Sequence, residues 1–282
     1  MVDVFALGPH SGNPLVVVTG DHMPPESRMQ ALAADFGVSE TVFAVPGTPP
    51  RLRIFTPEAE IPMAGHPLVG TAWVLRRRGW IASEDVLSAP GGDVAVGADA
   101  GGARMTRTSP APRGVADADA LAALLGVHAT GAARIWDAGM PQVMLPVDDL
   151  DGLRADHAAL RTRGQAEGWA GVSAYVLRTE DGGGDPTSAT VAEVRHLAGP
   201  IGIPEDPVTG SAAAALGSCL AAEGMITGAR PALTVLQGHH IGRPGRVDVR
   251  VDMGANGPAA VTVGGAVVPV RDGTVRPGAS AG

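Results

Sequence analysis

The alternation of apolar and polar residues predicts a chain richer in strands than in helices. Residues 2–5 and 14–18 read as two strands joined by the Gly- and Asn-bearing loop 8–13. Helical spacing follows over about 25–36, with Gly37 as its stop, and strand patterns return at 39–45 and 51–55. A helix is expected over 68–78, then short strands from about 85 to 107 with Gly-rich turns. Residues 108–113, rich in Ser and Pro, read as a linker, followed by a helix over 117–125. The later part predicts strands at 133–136 and 171–178, a helix over 149–163, a hairpin tip at 182–186 and a helix over 212–223. Strands at 233–237, 246–253, 259–263 and 266–270 complete it, and the chain is expected to fray from Val275.

Within this pattern the chain says similar things twice. Pro67-Leu68-Val69-Gly70-Thr71-Ala72 returns as Pro207-Val208-Thr209-Gly210-Ser211-Ala212. Gly12-Asn13-Pro14 is echoed at Gly139-Met140-Pro141, and Gly37-Val38-Ser39-Glu40 at Gly171-Val172-Ser173-Ala174. The matches keep their order and lie close to half a chain apart, which predicts two related halves, 1–127 and 128–282, rather than a short-period solenoid. On this alignment Glu40, at the opening of a strand, stands where the other half has Ala174. A charged residue there is ordinarily a solvated edge position. In paired halves it reads instead as chemistry that one half adds to a shared site.

The acidic turn Glu205-Asp206-Pro207-Val208-Thr209-Gly210-Ser211 feeds a run of small residues, so Thr209 or Ser211 is placed to cap a helix start whose free N–H groups an anion can reach. His66 reads as lying just before a helix N-terminus, where the dipole disfavours imidazolium. Adjacent His239 and His240 would point to opposite faces of a strand and make a poor chelate, and no metal-ligand spacing accompanies them.

Composition narrows the chemistry. The 282 residues carry a net charge of −8 with only 3% aromatics, against a nucleic-acid surface. No apolar run has membrane-spanning length, and the first residues resemble no signal peptide, so a cytoplasmic protein is expected. All 21 basic residues are Arg, which removes Schiff-base chemistry and a P-loop lysine. Cys219 is the only cysteine and reads as a small buried residue.

Ser39-Glu40-Thr41, Met63-Ala64-Gly65-His66-Pro67, Glu205 to Ser211, and Gln237-Gly238 with Gly242-Arg243-Pro244 resemble the PhzF-like phenazine-biosynthesis isomerases, a branch of the diaminopimelate-epimerase-like fold. Val2-Asp3-Val4-Phe5 and Gly12-Asn13-Pro14 fit as well. The resemblance implies an α/β (α+β) protein of two pseudo-symmetric halves, each a curved mixed sheet around a central helix, with the active site between them. It implies Glu40 as the general acid/base, His66, Asp206 and Ser211 as its catalytic partners, and Gly65, Thr209 and Gly210 as substrate-binding residues that grip a carboxylate. Epimerase relatives use two cysteines, at positions that here hold Ala64 and Thr209, which removes the two-thiol mechanism. The implied activity is a cofactor-independent, metal-free isomerisation moving a proton and a double bond in a small unsaturated carboxylic or amino acid. Such a substrate is dihydrohydroxyanthranilate-like or an antibiotic-pathway diene such as an alkylproline precursor. An epimerase or hydratase-like enzyme, or a binding protein that has lost turnover, are the alternatives. A homodimer is implied by the family alone. Two departures bear on the pocket: Gly245 stands where the family often has Ser, and Arg195-His196-Leu197 replaces a more apolar segment.

Overall fold

The computed structural model describes residues 1–179 and 190–276, so the expected hairpin tip at 182–186 lies outside the described residues. The first part of the chain contains β1 (Val2–Val4), β2 (Asn13–Thr19), α1 (Glu26–Phe36), β3 (Glu40–Val45), β4 (Arg51–Phe55), β5 (Glu60–Ile61), α2 (Gly65–Arg77), β6 (Glu84–Ala89), β7 (Gly92–Ala98), β8 (Gly102–Thr108), β9 (Ala111–Ala116) and α3 (Ala118–Leu125). It continues with β10 (Ala133–Asp137), β11 (Pro141–Pro146), α4 (His157–Glu167), β12 (Gly171–Thr179), β13 (Thr190–Ala198), β14 (Ile203–Asp206), α5 (Gly210–Ala222), β15 (Ala232–Gln237), β16 (Gly245–Gly254) and β17 (Gly257–Pro269).

The pairings repeat. β1 lies antiparallel to β2 as β10 does to β11, and β2 runs parallel to β3 as β11 does to β12. β4 pairs parallel with β6 and β13 with β15, after which β6–β7–β8 and β15–β16–β17 are antiparallel runs. The two sets join where β17 pairs with β8, and the end of β17 returns to β1. This is the duplicated, mixed α+β architecture expected from the sequence.

Each set curls around one helix. α2 is buried along nearly its whole length, and α5 buries almost all of its Ala-rich sequence against β10, β11, β15, β16 and β17. Small side chains let sheet and helix approach: the Cβ that Gly70 lacks would meet Leu15 and Val4, and that of Gly217 would meet Val249. With few aromatics, the main core is built from Val, Leu and Ala.

Several boundaries move. Helix α2 starts at Gly65 rather than Leu68, because Pro67 falls in the first turn, where its missing N–H costs nothing. His66 is therefore inside the helix. The segment expected to be helical from 149 forms turns until 156, because Asp149 accepts from the Asp151 and Gly152 amides and Asp156 caps α4 at Ala159. Residues 111–113 of the expected linker fall in β9, which pairs with β10, and the two expected strands at 259–263 and 266–270 are the single long β17. His239 and His240 sit in a 3-10 turn, with His240 Nε2 3.0 Å from Asp151.

Gly245 explains itself sterically. A Cβ there would lie 2.5 Å from Val208 and 2.6 Å from the backbone oxygen of Phe5, which accepts from the Arg246 amide. Gly245→Ser is expected to destabilise the fold by about 2 kcal/mol, a typical overpacking cost, seen as a lower urea midpoint at unchanged slope. An unshifted midpoint would show that the strands can spread.

Candidate functional site

The N-termini of α2 and α5 meet. A Cβ on Gly65 would stand 3.4 Å from the Ser211 amide nitrogen, and one on Gly210 would stand 3.8 Å from the His66 nitrogen. This reciprocity is the local pseudo-two-fold, and glycine at both places keeps the helix ends open to each other. It also corrects the repeat: Gly65 pairs with Gly210 and His66 with Ser211, whereas Gly70 and Thr71 lie inside α2. The sequence echo was five residues out of register because Pro-x-x-Gly recurs by chance inside an apolar helix.

Neither helix has a side-chain cap. Ala64, at the N-cap of α2, has no acceptor, and the Thr209 hydroxyl at the N-cap of α5 bonds Asp206 instead. The expected capping by Thr209 or Ser211 is thus absent. By contrast α3 and α4 are capped by Asp117 and Asp156. First-turn N–H groups with no side-chain acceptor, at two facing positive helix ends, make an anion-binding place.

Around it the structure gathers the acidic residues singled out in the sequence. Glu40 opens β3, and its Oε2 lies 3.2 Å from Nε2 of His66, off the line of a good hydrogen bond. Burial raises the Glu40 carboxyl above its ordinary range, with a Ser39 hydrogen bond opposing the shift. Burial lowers His66 to about 4, against the Asp206 charge and the Pro14 carbonyl. Asp206 is pushed up to about 6 by burial, opposed by Thr209, the charge of His66 and Asn13. Cooperation between these groups is electrostatic as well as spatial.

Three polar residues that sequence reasoning did not single out complete the arrangement. Asn13 donates to Asp206 (3.2 Å) and to the Val208 carbonyl (2.9 Å), and takes a hydrogen bond from Ser39. Gln237 accepts from the Thr209 amide and donates to the Asp206 carbonyl (2.8 Å) and the Thr209 hydroxyl. Gln142 donates to Ser211 Oγ at 3.1 Å. Asn13 and Gln237 lie within the motifs that carry the family resemblance; Gln142 had only its place beside the echoed Pro141 as a signal.

The position equivalent to Glu40 also shifts. Glu40 opens β3 opposite Leu15 on β2, and Gly171 opens β12 opposite Gln142 on β11, so Gly171 rather than Ala174 is the counterpart. The ring of His196 lies over Gly171, its Nδ1 2.8 Å from Ser173 Oγ, and burial lowers its pKa to about 4. Its neighbour Arg195 forms a two-point pair with Glu205 and bonds the Leu150 and Leu153 carbonyls.

A cavity of about 880 Å³ lies elsewhere, on the outer sheet face of β8, β15, β16 and β17, and none of the candidate residues lines it. Its Arg104, Arg230 and Arg246 are paired with Glu84, Asp252 and Asp248. Among the described residues no cluster of metal-ligating side chains occurs, and no helix is long and apolar enough to cross a membrane.

Comparison with known proteins agrees with this fold. The family model described as phenazine biosynthesis-like protein matches residues 2–273. An uncharacterized isomerase of Mesorhizobium japonicum is 34% identical, covering 97% of this chain and 96% of its own. A trans-2,3-dihydro-3-hydroxyanthranilate isomerase of Pseudomonas fluorescens is 31% identical over 98% of both. The crystal structure of a Bacillus anthracis phenazine biosynthesis protein of the PhzF family superposes with a TM-score of 0.82 at 26% identity, covering 96% of this chain and 95% of that one. With nearly its whole length matched, the chain belongs to the phenazine biosynthesis-like PhzC-PhzF family, in which these named relatives are isomerases.

Proposed function

We propose that this protein is an isomerase that moves a proton and a double bond within a small unsaturated carboxylic acid, with Glu40 as the group that carries the proton. The observation that carries this reading is the buried Glu40 carboxyl beside the His66 imidazole at two helix ends that carry no side-chain cap. The name of the Pseudomonas relative indicates the kind of substrate, a cyclic dienoic amino acid.

The substrate carboxylate would sit at the N–H groups of Gly65, His66, Gly210 and Ser211. Glu40 as carboxylate takes a proton from an sp3 carbon of the substrate. The electron pair spreads through the conjugated system toward the substrate carboxylate, where the helix ends stabilise the added charge. Glu40 then returns the proton at the far carbon, leaving the double bond displaced and Glu40 ionised again. Atoms and electrons balance without a co-reactant. A carboxyl raised toward neutrality by burial suits both halves of that transfer. His66, held neutral, orients the Glu40 carboxyl without adding a cation that would lock it in its charged form. Asp206 and Thr209 fix the other side of the site.

A two-thiol epimerase reaction is chemically closed, since Ala64 and Thr209 hold the two N-cap positions and Cys219 is buried in the middle of α5. The position equivalent to Glu40 is Gly171, so the second half offers no matching carboxylate.

Two outcomes are expected. In D2O, proton NMR of trans-2,3-dihydro-3-hydroxyanthranilate and a small panel of conjugated amino acids should show double-bond migration with the parent protein. Glu40→Gln should lower that rate by about 10²- to 10⁴-fold. Turnover that survives the substitution would remove Glu40 from the role given to it.

The second concerns stability. The folded-state pKa of Asp206 lies above its ordinary 3.8, so its contribution is full at low pH and is lost as pH rises through about 6. For His66 the folded value lies below 6.5, so its contribution is present above 6.5 and lost as pH falls through about 4. Each shift is worth about 3 kcal/mol at the scale of roughly 1.4 kcal/mol per pKa unit, and in the parent the two slopes oppose each other. Relative to the parent, Asp206→Asn should therefore gain stability from pH 4 to 7, while any gain from His66→Gln should shrink over the same interval. Urea denaturation of the three proteins at several pH values checks this, and parallel slopes would refute it.

A further inference from the structure

We propose that Gln142 selects the substrate: its amide nitrogen sets the Ser211 hydroxyl, and its amide oxygen receives a hydrogen bond from an amino or hydroxyl group carried beside the substrate's carboxylate. This rests on the carboxylate reading above.

Gln142 is the second residue of β11, only 2% exposed, and lies in register with Gly171 on β12 and Trp136 on β10. Its Nε2 donates to Ser211 Oγ at 3.1 Å. Its Oε1 is buried and has no hydrogen-bond partner among the described residues. A buried carbonyl oxygen without a donor is costly, and native proteins carry few of them. His196, the ring that covers Gly171, bonds Ser173 through Nδ1 and makes no hydrogen bond to this oxygen.

The sense of the amide follows from what Ser211 has to do. Ser211 is the second residue of α5, at a helix end open to an anion. If its oxygen accepts from Gln142, the hydroxyl proton stays free to donate to a substrate carboxylate. The reversed amide would take that proton and point an NH2 group away, which would waste the one side-chain donor at this helix end. With the amide so fixed, Oε1 is an acceptor that the carboxylate itself, also an acceptor, cannot satisfy. A second group on the same ligand, an N–H or O–H close to the carboxylate, satisfies it. Bare enoic acids leave the oxygen unpaired and are disfavoured, in the way that sites built for a hydrogen bond reject analogues lacking it. In the related half the corresponding residue is Leu15, so the selection is a feature of one side of the pseudo-two-fold only.

The test uses the full chain and two probes of similar shape, 2-aminobenzoate and benzoate, titrated by calorimetry. The parent protein is expected to bind 2-aminobenzoate about tenfold more tightly than benzoate, the scale of one satisfied hydrogen bond. In Gln142→Met the ratio should fall to about one, with no loss of melting temperature, since Met fills the volume without burying an unpaired amide. In Ser211→Ala, where the amide loses its anchor, the ratio should fall as well. A parent ratio near one with both probes bound, or a ratio kept in Gln142→Met, overturns the role of Gln142 while leaving the carboxylate site in place. The parent comparison needs no variant and decides even if Gln142→Met does not fold. Binding of neither probe to the parent overturns the carboxylate reading and this inference with it.

Discussion

Two helix N-termini that meet without side-chain caps are the constraint on which the site depends. Each brings first-turn N–H groups that no side chain satisfies, and the half-charges of both dipoles have the same sign. Such an arrangement is unfavourable unless the intervening space is reserved for an anion or lined by groups that bear partial negative charge. Glycine at positions 65 and 210 provides the first condition, since a side chain at either would fill the space against the opposite helix. Asp206, Glu40 and the oxygen of Ser211 provide the second.

The rest of the local structure follows from placing acids in so dry a position. Asp206 cannot remain there unsupported, and its carboxylate is held by Asn13 and Thr209 while Gln237 ties down its backbone and the following turn. Thr209 is thereby withdrawn from capping α5. The cap that would ordinarily close this helix is diverted into holding an acid, and the amides remain free. Burial shifts the imidazole and the carboxyls in opposite senses, each toward its neutral form.

Much of this was legible in the residues. Strand alternation, Gly stops after helices and the collinear repeat led to the duplicated architecture, and Glu40, His66, Asp206 and Ser211 stand together at the two helix ends. What sequence could not resolve was register. Pro67 hid the true start of α2, since proline in a first turn looks from sequence like the point before which a helix cannot extend. The recurrence of Pro-x-x-Gly then aligned Gly70 with Gly210, although one packs against Leu15 and the other faces α2. A separate slippage, from the shared Gly-Val-Ser at 37–39 and 171–173, made Ala174 the counterpart of Glu40. Asp149 was read as a helix start because an Asp caps turns as readily as helices, and only the hydrogen bonds of Asp149 and Asp156 distinguish the two uses. Gln142 carries no motif at all; its interest comes from an unpaired oxygen that exists only in three dimensions.

The duplication also explains why one fold serves chemistry that is not symmetrical. The frame is nearly two-fold: paired helices, paired glycines and parallel strand pairs that deliver a residue to the same depth from each side. The functional groups are not. One side delivers Glu40 beside His66, and the other delivers Gly171 under the His196 ring, with Gln142 where the first has Leu15. A racemase that takes a proton from one face and returns it to the other needs an acid/base on each side of the frame. A carbon-to-carbon shift on one face needs only one, and the opposite side is then free to hold and orient the substrate. Keeping the helix ends equal while making the strand openings unequal is the physical distinction between those two uses of the same architecture.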